Sequence, residues 1–468
     1  MAKIILKGSD LLSIGFTEGR PVGVALRVMQ KNYKHSSLDE QLAMLRVVLA
    51  APAAYINDAV LGEIAQVLLS PELNTPLEIP LRNKGIPYQI YGEAHIEQGA
   101  LGQMDIAMRL PIALAGALMP DAHQGYGLPI GGVLASNNAV VPFGVGVDIG
   151  CRMCMSIYDL PISYLAGHAD KLKKALNEHT RFGINASFDK PIDHEVLSNK
   201  AFSEIGIVKS LKDKARVQLG SSGGGNHFVE FGIVEITHSD KALALPMGKY
   251  VGILSHSGSR GLGATIANHY TQIARKVCML PKEAQHLAWL DLDSEAGQEY
   301  WMAMNLAGDY ASACHHQIHQ RLALAIGLKP LAMVENHHNF AWKETLPNGT
   351  EAIVHRKGAT PAGKGVLGII PGSMTAPGYI VRGKGNEQAL SSAAHGAGRL
   401  MSRTKALNSI TQNQLNKYLQ ERGVTLIGGG LDEAPVAYKD IGTVMAAQEE
   451  LVEILGIFKP KIVRMASE

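Results

Sequence analysis

Apolar positions repeat with a helical spacing in the first part of this chain, and β-branched runs become common later. Ser37-Leu38-Asp39-Glu40 has the form of a capping box, in which the Ser hydroxyl and the Glu carboxylate each accept the other's backbone N–H. It predicts a helix running to about Ala50. A second periodic apolar run, from Tyr55 to Leu69, predicts another helix. Pro71, Pro76, Pro80 and Pro87 then punctuate a stretch that cannot be continuous helix, because proline lacks the N–H and clashes with the preceding turn. The boundary falls there. Residues 1–87 read as a small, mostly helical accessory segment without chemistry-bearing motifs, and residues 88–468 as the main domain.

From about residue 88 the polar residues gather in Gly-rich loops. These alternate with runs such as Gly132-Val133-Leu134 and Tyr250-Val251-Gly252-Ile253-Leu254, which predict strands. Helical patterns cover residues 163–179, 194–216 and 296–326. Strands and helices do not alternate regularly and no internal repeat is visible. The pattern therefore predicts an α+β fold rather than a doubly wound sheet.

Composition narrows the function classes. With 468 residues, 46% hydrophobic and 18% charged, the chain can bury a large core. A formal net charge of +2 does not announce a nucleic-acid partner, so any RNA contact must come from a local basic or metal-bearing site. Cys151, Cys154, Cys278 and Cys314 have no disulfide-framework spacing, and no signal peptide or membrane-length apolar run is visible. A reducing cytoplasmic setting is expected, in which a free thiolate can serve as a metal ligand.

Several short motifs concentrate the candidate chemistry. Asp121-Ala122-His123-Gln124-Gly125-Tyr126-Gly127 opens a Gly-rich loop that, taken alone, is more readily a structural turn. Gly146-Val147-Asp148-Ile149-Gly150-Cys151-Arg152-Met153 sets Asp148 and Cys151 three apart, able to converge on one ion. Arg152 and a metal would favour the thiolate of Cys151, while Cys154 reads as core. Gly220-Ser221-Ser222-Gly223-Gly224-Gly225-Asn226-His227-Phe228-Val229-Glu230 offers successive N–H groups as an anion nest with His227 at its end. Ser255-His256-Ser257-Gly258-Ser259-Arg260, Glu335-Asn336-His337-His338-Asn339, His355-Arg356-Lys357-Gly358 and His395-Gly396-Ala397-Gly398-Arg399 set imidazole or guanidinium beside small residues, as phosphate and metal sites do. Each motif singly is compatible with a satisfied surface histidine; their joint occurrence is not easily so. A carboxylate, a thiolate and three imidazoles suit Mn²⁺ or Zn²⁺ rather than Mg²⁺, and two ions sharing the thiolate would make a two-metal site for phosphoryl chemistry. His269, His315, His316 and His319 lie in helical surroundings and receive no role.

In content and order, Gly146–Met153, Gly220–Glu230, Ser255–Arg260, His338-Asn339, His355–Thr360 and His395–Arg399 resemble the signature of the RtcB family of RNA ligases. Asp432-Glu433-Ala434-Pro435-Val436-Ala437-Tyr438 is similar to a further family segment. The resemblance spans about Gly92 to Pro460 and leaves the N-terminal segment uncovered. It implies an RtcB-like α+β catalytic domain that uses GTP and two Mn²⁺ to join an RNA 3′-phosphate or 2′,3′-cyclic phosphate end to a 5′-hydroxyl end, in RNA repair or tRNA splicing. By the same resemblance, His395 is the nucleophile that takes up GMP, and Asp121 orients it. One Mn²⁺ falls to Asp148, Cys151 and His227, the other to Cys151, His256 and His338; His338 is preferred to His337 because the family ligand directly precedes the Asn. Asn226, Phe228, Glu230, Ser373, Arg399 and Tyr438 fall to the nucleotide, and Arg260, Arg356 and Lys357 to phosphate or RNA contacts. Met465 stands near the position of a family tail lysine that touches guanine, and Thr375-Ala376-Pro377-Gly378 replaces a family serine segment. These departures point to a divergent paralogue. The competing readings are a metal-dependent cyclic phosphoesterase that does not ligate, and a non-catalytic RNA-binding relative.

Overall fold

The computed structural model describes residues 6–17, 19–69 and 78–467. The predicted helix near the N-terminus forms as Leu38–Ala50. Ser37 Oγ accepts from Glu40 N at 3.3 Å, and the Glu40 carboxylate accepts from Ser37 N at 2.7 Å. Of the run from Tyr55 to Leu69 only the second half, Gly62–Leu69, is helical, and a 3₁₀ turn, Pro52–Tyr55, ends where the run begins. The break belongs to Asp58, whose carboxylate accepts from Val60 N and Leu61 N and closes a turn between them. Two helices that the pattern did not predict, Gly8–Ser13 and Arg20–Asn32, complete this part. Leu11, Met29, Leu45 and Ile64 form its own fully buried core. The segment rests on the start of the long helix Glu295–Ile326: Gln298 donates to the Gly23 carbonyl at 3.1 Å and Arg27 pairs with Asp293 at 3.0 Å. Pro71 and Pro76 lie outside the described residues.

Two large sheets carry the rest. The smaller runs in the order Gln89–Ile90, Ala113–His123, Ile130–Ser136, Glu351–Lys357, Asn339–Thr345. The larger runs Leu367–Ile370, Gly378–Gly383, Val452–Met465, Phe228–Ile236, Gly248–Ser257, Arg152–Tyr158, Ala332–His337, with Thr425–Ile427 beside Val452–Met465. Both are mainly antiparallel, which agrees with the α+β expectation. The chain crosses from the larger sheet to the smaller at His338, between Ala332–His337 and Asn339–Thr345.

The helix expected over 296–326 forms, with Ser294 accepting from Gly297 N at its start and Gly327 in a left-handed conformation at its end. The helix expected over 194–216 does not form as one piece. It is four short turns, Glu195–Ser198, Ala201–Glu204, Gly206–Ser210 and Lys212–Gln218. Asn199 turns its side chain onto Ala201 N, and Ile205 takes an extended backbone before Gly206, so the ladder restarts each time. The stretch 163–179 likewise breaks at Gly167 and His168 into Ser163–Gly167 and Ala169–His179.

Candidate metal and nucleotide site

Antiparallel register gathers the metal-ligating residue types at one end of the large sheet. Cys151 directly precedes Arg152–Tyr158, and His227 directly precedes Phe228–Ile236. His256 lies opposite both Met153 and Phe228, and His337 lies opposite Arg152. Cys151 Sγ is 3.2 Å from His256 Nε2 and 3.5 Å from His227 Nε2. His256 Nε2 is 3.2 Å from His338 Nε2, and His227 Nε2 is 3.0 Å from Asp148 Oδ2. Gly223 permits the approach of its loop: a Cβ there would lie 2.1 Å from His227 Nδ1. His337 faces the other way, stacked on Trp342.

The electrostatics of this group suit a cation. His256 Nδ1 donates to the Asn226 carbonyl at 2.9 Å, so its Nε2 carries the lone pair that faces Cys151 and His338. Burial holds His256 neutral, down to about 3, and holds His338 well below its ordinary value. Nδ1 of His227 and of His338 are buried without a hydrogen-bond partner. Burial works against ionisation of Asp148, but the hydrogen bond and charge of His227 outweigh it and hold the carboxyl below its usual range. Burial, and then the Asp148 charge, push the Cys151 thiol well up. The backbone N–H and charge of Arg152 act the other way without offsetting this, and its guanidinium turns to Glu335 at 3.2 Å and to the Gly308 carbonyl. Inward-facing imidazoles, a thiol and a carboxylate thus converge on one point, a donor set compatible with metal binding. A bound divalent cation would supply the positive charge that deprotonates the thiol.

A second buried group, Cys154, His315 and His319, lies behind the first. Its ring nitrogens are already committed. His315 Nε2 donates to the Ser257 carbonyl at 3.1 Å, so its Nδ1 accepts from Ser255 Oγ at 2.6 Å. Ser255 Oγ then accepts from His319 Nε2 at 2.8 Å, and His319 Nδ1 accepts from Ser156 Oγ at 2.7 Å. One direction of donation satisfies every nitrogen. The sequence reading gave His315 and His319 no role; they tie the long helix to the strand that carries His256. Cys154 is buried beside them, as expected of core.

His395 stands next to the metal-type group, 5.0 Å from His338 between ring centroids. Asp121 Oδ2 accepts from His395 Nδ1 at 2.6 Å, from His395 N at 3.1 Å and from Gly396 N at 3.3 Å. Nδ1 therefore carries the proton and Nε2 is a lone pair. Lys439 braces the strand end that bears Asp121, donating to the Pro120 and Ala122 carbonyls.

These groups border a cleft of about 360 Å³. Asn226, Phe228, Glu230, Ser373, Arg399 and Tyr438 all line it, as does Lys357, while Asp121 sits behind His395. Glu230 is buried, and burial raises its carboxyl well above the usual range. Burial lowers Lys357 to about 7; its ammonium donates to the Tyr126 carbonyl at 2.5 Å. Met465, at the departure from the family tail, also faces the cleft, as do Arg403 and Glu433, to which the sequence assigns no role. Arg403 pairs with Asp432 and Glu433, and Glu433 also holds Arg399 and Tyr438. The signal for Glu433 was its place in the C-terminal family segment.

Two predicted phosphate contacts are not brought to the cleft. Arg356 is fully buried under Trp342, and its guanidinium is committed to Glu344, Ser392 and the Leu390 carbonyl. Arg260 is buried behind the Gly-rich loop, bonded to Ser221 Oγ at 3.0 Å and the Gly183 carbonyl at 2.5 Å. Period-two alternation explains the first error: Lys357 faces the cleft, so its strand neighbour Arg356 faces the core. His355 is scaffold, with Nε2 accepting from Val141 N and Nδ1 donating to the Leu134 carbonyl.

Fold and site together define an α+β protein with a buried Cys–His centre compatible with metal binding, set beside a histidine held by a carboxylate. The family model described as tRNA-splicing ligase RtcB matches residues 103–207 and 188–465. The chain belongs to the RtcB family. It is similar to the RNA-splicing ligase RtcB of Escherichia coli strain K12, at 34% identity over 82% of this chain and 97% of that protein. It is also similar to the tRNA-splicing ligase RtcB of Nanoarchaeum equitans, at 30% identity over 82% of this chain and 96% of that protein. Among the described residues, no helix is long and apolar enough to cross a membrane.

Proposed function

We propose that this protein is an RNA ligase that joins a 3′-phosphate or 2′,3′-cyclic phosphate end to a 5′-hydroxyl end, through GMP carried on His395. The observation that carries the reading is the Asp121–His395 pair. Asp121 fixes the proton on Nδ1, which leaves a neutral Nε2 beside the Cys–His centre as nucleophile. Attack on the α-phosphorus of GTP forms an N–P bond and expels pyrophosphate. The positive charge that develops on the ring is held against Asp121. The RNA 3′-phosphate then displaces His395 from the GMP, and the 5′-hydroxyl oxygen attacks the activated phosphate and releases GMP. A cyclic phosphate is first opened by water.

In this reading Asp148, Cys151, His227, His256 and His338 would hold two Mn²⁺. When bound they neutralise phosphate charge during transfer. The chain's own residues position the nucleotide. Glu230 accepts the N1 and N2 protons of guanine, Phe228 and Tyr438 flank the nucleoside, and Asn226, Ser373 and Arg399 hold its polar groups. Lys357 faces the phosphates. The family relationship supports RNA ends, broken or spliced tRNA among them, as substrate.

The test is incubation with GTP labelled at the α-phosphate in the presence of Mn²⁺. The wild type should take up covalent, acid-labile label, and His395→Ala should take up none while keeping its metal. Label that survives His395→Ala places the adduct elsewhere. Ligation of RNA without any protein-bound nucleotide overturns the mechanism.

A further inference from the structure

Lys357 belongs to the cleft and also to a second group of side chains. Its ammonium lies 5.2 Å from the centroid of the Phe143 ring. Phe143 stacks on His286 with centroids 5.4 Å apart, and Tyr126 closes the group at 6.2 Å from Phe143 and 5.7 Å from His286. Arg275 donates to His286 Nδ1. Three rings and two cations thus meet beside the cleft. Gly146 and Val147, which follow Phe143 closely in the chain, line the cleft as Lys357 does.

Nothing in the core accounts for this arrangement. Tyr126 is 67% exposed, at the tip of the Gly-rich loop that the ligase chemistry uses only at its Asp121 end. The loop is built to hold the ring there. Gly127 has φ +69°, and a Cβ on it would lie 2.8 Å from the His286 carbonyl oxygen, so only glycine lets the loop close against residues 282–287 and turn Tyr126 outward. Among the described residues neither basic group is in an ion pair: Lys357 donates to the Tyr126 carbonyl and Arg275 to His286. His286 is held below its ordinary value by partial burial and by the charges of Arg275 and Lys357. Burial alone acts on Lys357. An exposed ring backed by two part-buried ones, with cations beside it and a phosphate-handling cleft next to it, is what an unstacked nucleobase and its phosphates require.

We propose that Tyr126, backed by Phe143 and His286, forms a stacking shelf for an unpaired nucleobase of the RNA end delivered to the cleft, with Lys357 and Arg275 on the adjoining phosphates. The inference rests on the ligase reading for the identity of its ligand. It predicts tolerance of base identity, since every base has a π face, and a preference for single-stranded ends over blunt duplex ends.

The experiment measures binding, separately from chemistry, by fluorescence anisotropy with a single-stranded oligoribonucleotide ending in a 3′-phosphate, and with one ending in a 5′-hydroxyl. Tyr126→Ala should weaken binding of one of them by about tenfold, the loss expected for one base–aromatic stack, and Tyr126→Phe should retain it. Replacing that oligonucleotide's terminal nucleotides one at a time with abasic ones should cost the wild type a similar factor at one position and cost Tyr126→Ala almost nothing there. Covalent GMP uptake should be the same in wild type and Tyr126→Ala, because the ring does not border the nucleotide. Equal RNA binding by wild type and Tyr126→Ala overturns the shelf, as does an abasic penalty that persists undiminished in the variant. Failure of the wild type to take up GMP while the Tyr126 effect on RNA binding remains would sink the ligase mechanism and leave the shelf standing.

Discussion

Cys151 is the residue on which the candidate metal centre turns. Its sulfur touches His227 and His256 and lies beside Asp148, the placement that the proposed pair of ions would require of a shared ligand. A serine hydroxyl is a poor anionic ligand at neutral pH. Cys151→Ser is therefore expected to lose metal from both sites, measured as bound metal per chain, whereas Cys154→Ser should keep the wild-type content. Equal metal in wild type and Cys151→Ser would refute the bridging assignment. Lys357 gives a second expectation at this scale. Burial lowers its ammonium to about 7, so near pH 8 most of it is neutral in the free protein. A bound phosphate favours the charged form and raises the pKa again. Binding of a phosphate-bearing ligand near pH 8 should then take up a proton, and the uptake should fade as the pH drops below about 6, where the group is already charged. Calorimetry in buffers of different ionisation enthalpy measures this. Lys357→Arg, charged throughout, should abolish it.

The element that matters most is the strand Gly248–Ser257, whose end carries His256. Ser255 anchors it to the long helix by accepting from His319 and donating to His315. Ser255→Ala leaves two buried ring nitrogens without a partner, at a cost of roughly 1–3 kcal/mol for each group. The expected result is a lower melting temperature together with weaker metal binding, since the strand end that presents His256 loses its anchor. A variant that melts lower yet binds metal as the wild type does would confine the network to stability. Elements also mark where the sequence was legible. The capping box at Ser37 and Glu40 is a contact within one turn, and it formed as read. The failed helix over 194–216 had the right apolar spacing, but its Asn199 cap and the extended backbone at Ile205 are local competitors that periodicity does not weigh.

At the scale of the molecule, the N-terminal helices have a core of their own and meet the main fold at the start of the long helix, through Gly23, Arg27, Asp293 and Gln298. None of the proposed catalytic residues comes from them. Removal of residues 1–77 should leave GMP uptake measurable and lower the melting temperature, because it uncovers the surface that Arg20–Asn32 buries. A truncated chain that is folded by circular dichroism but takes up no GMP would make the segment part of the active site. The sequence by itself determined the residue types and their order: the carboxylate, thiolate and imidazoles, the glycines that let loops approach them, and the mixed α+β pattern. These are local properties, carried by spacing and by the conformational freedom of particular residues. Only the tertiary structure decided which way side chains face. It put Lys357 in the cleft and Arg356 in the core, set the Arg152 guanidinium against Glu335, and drew His315 and His319 under His256. Those outcomes depend on which strands become neighbours and in what register, and residues from 152 to 357 meet there only once two sheets and a long helix have packed.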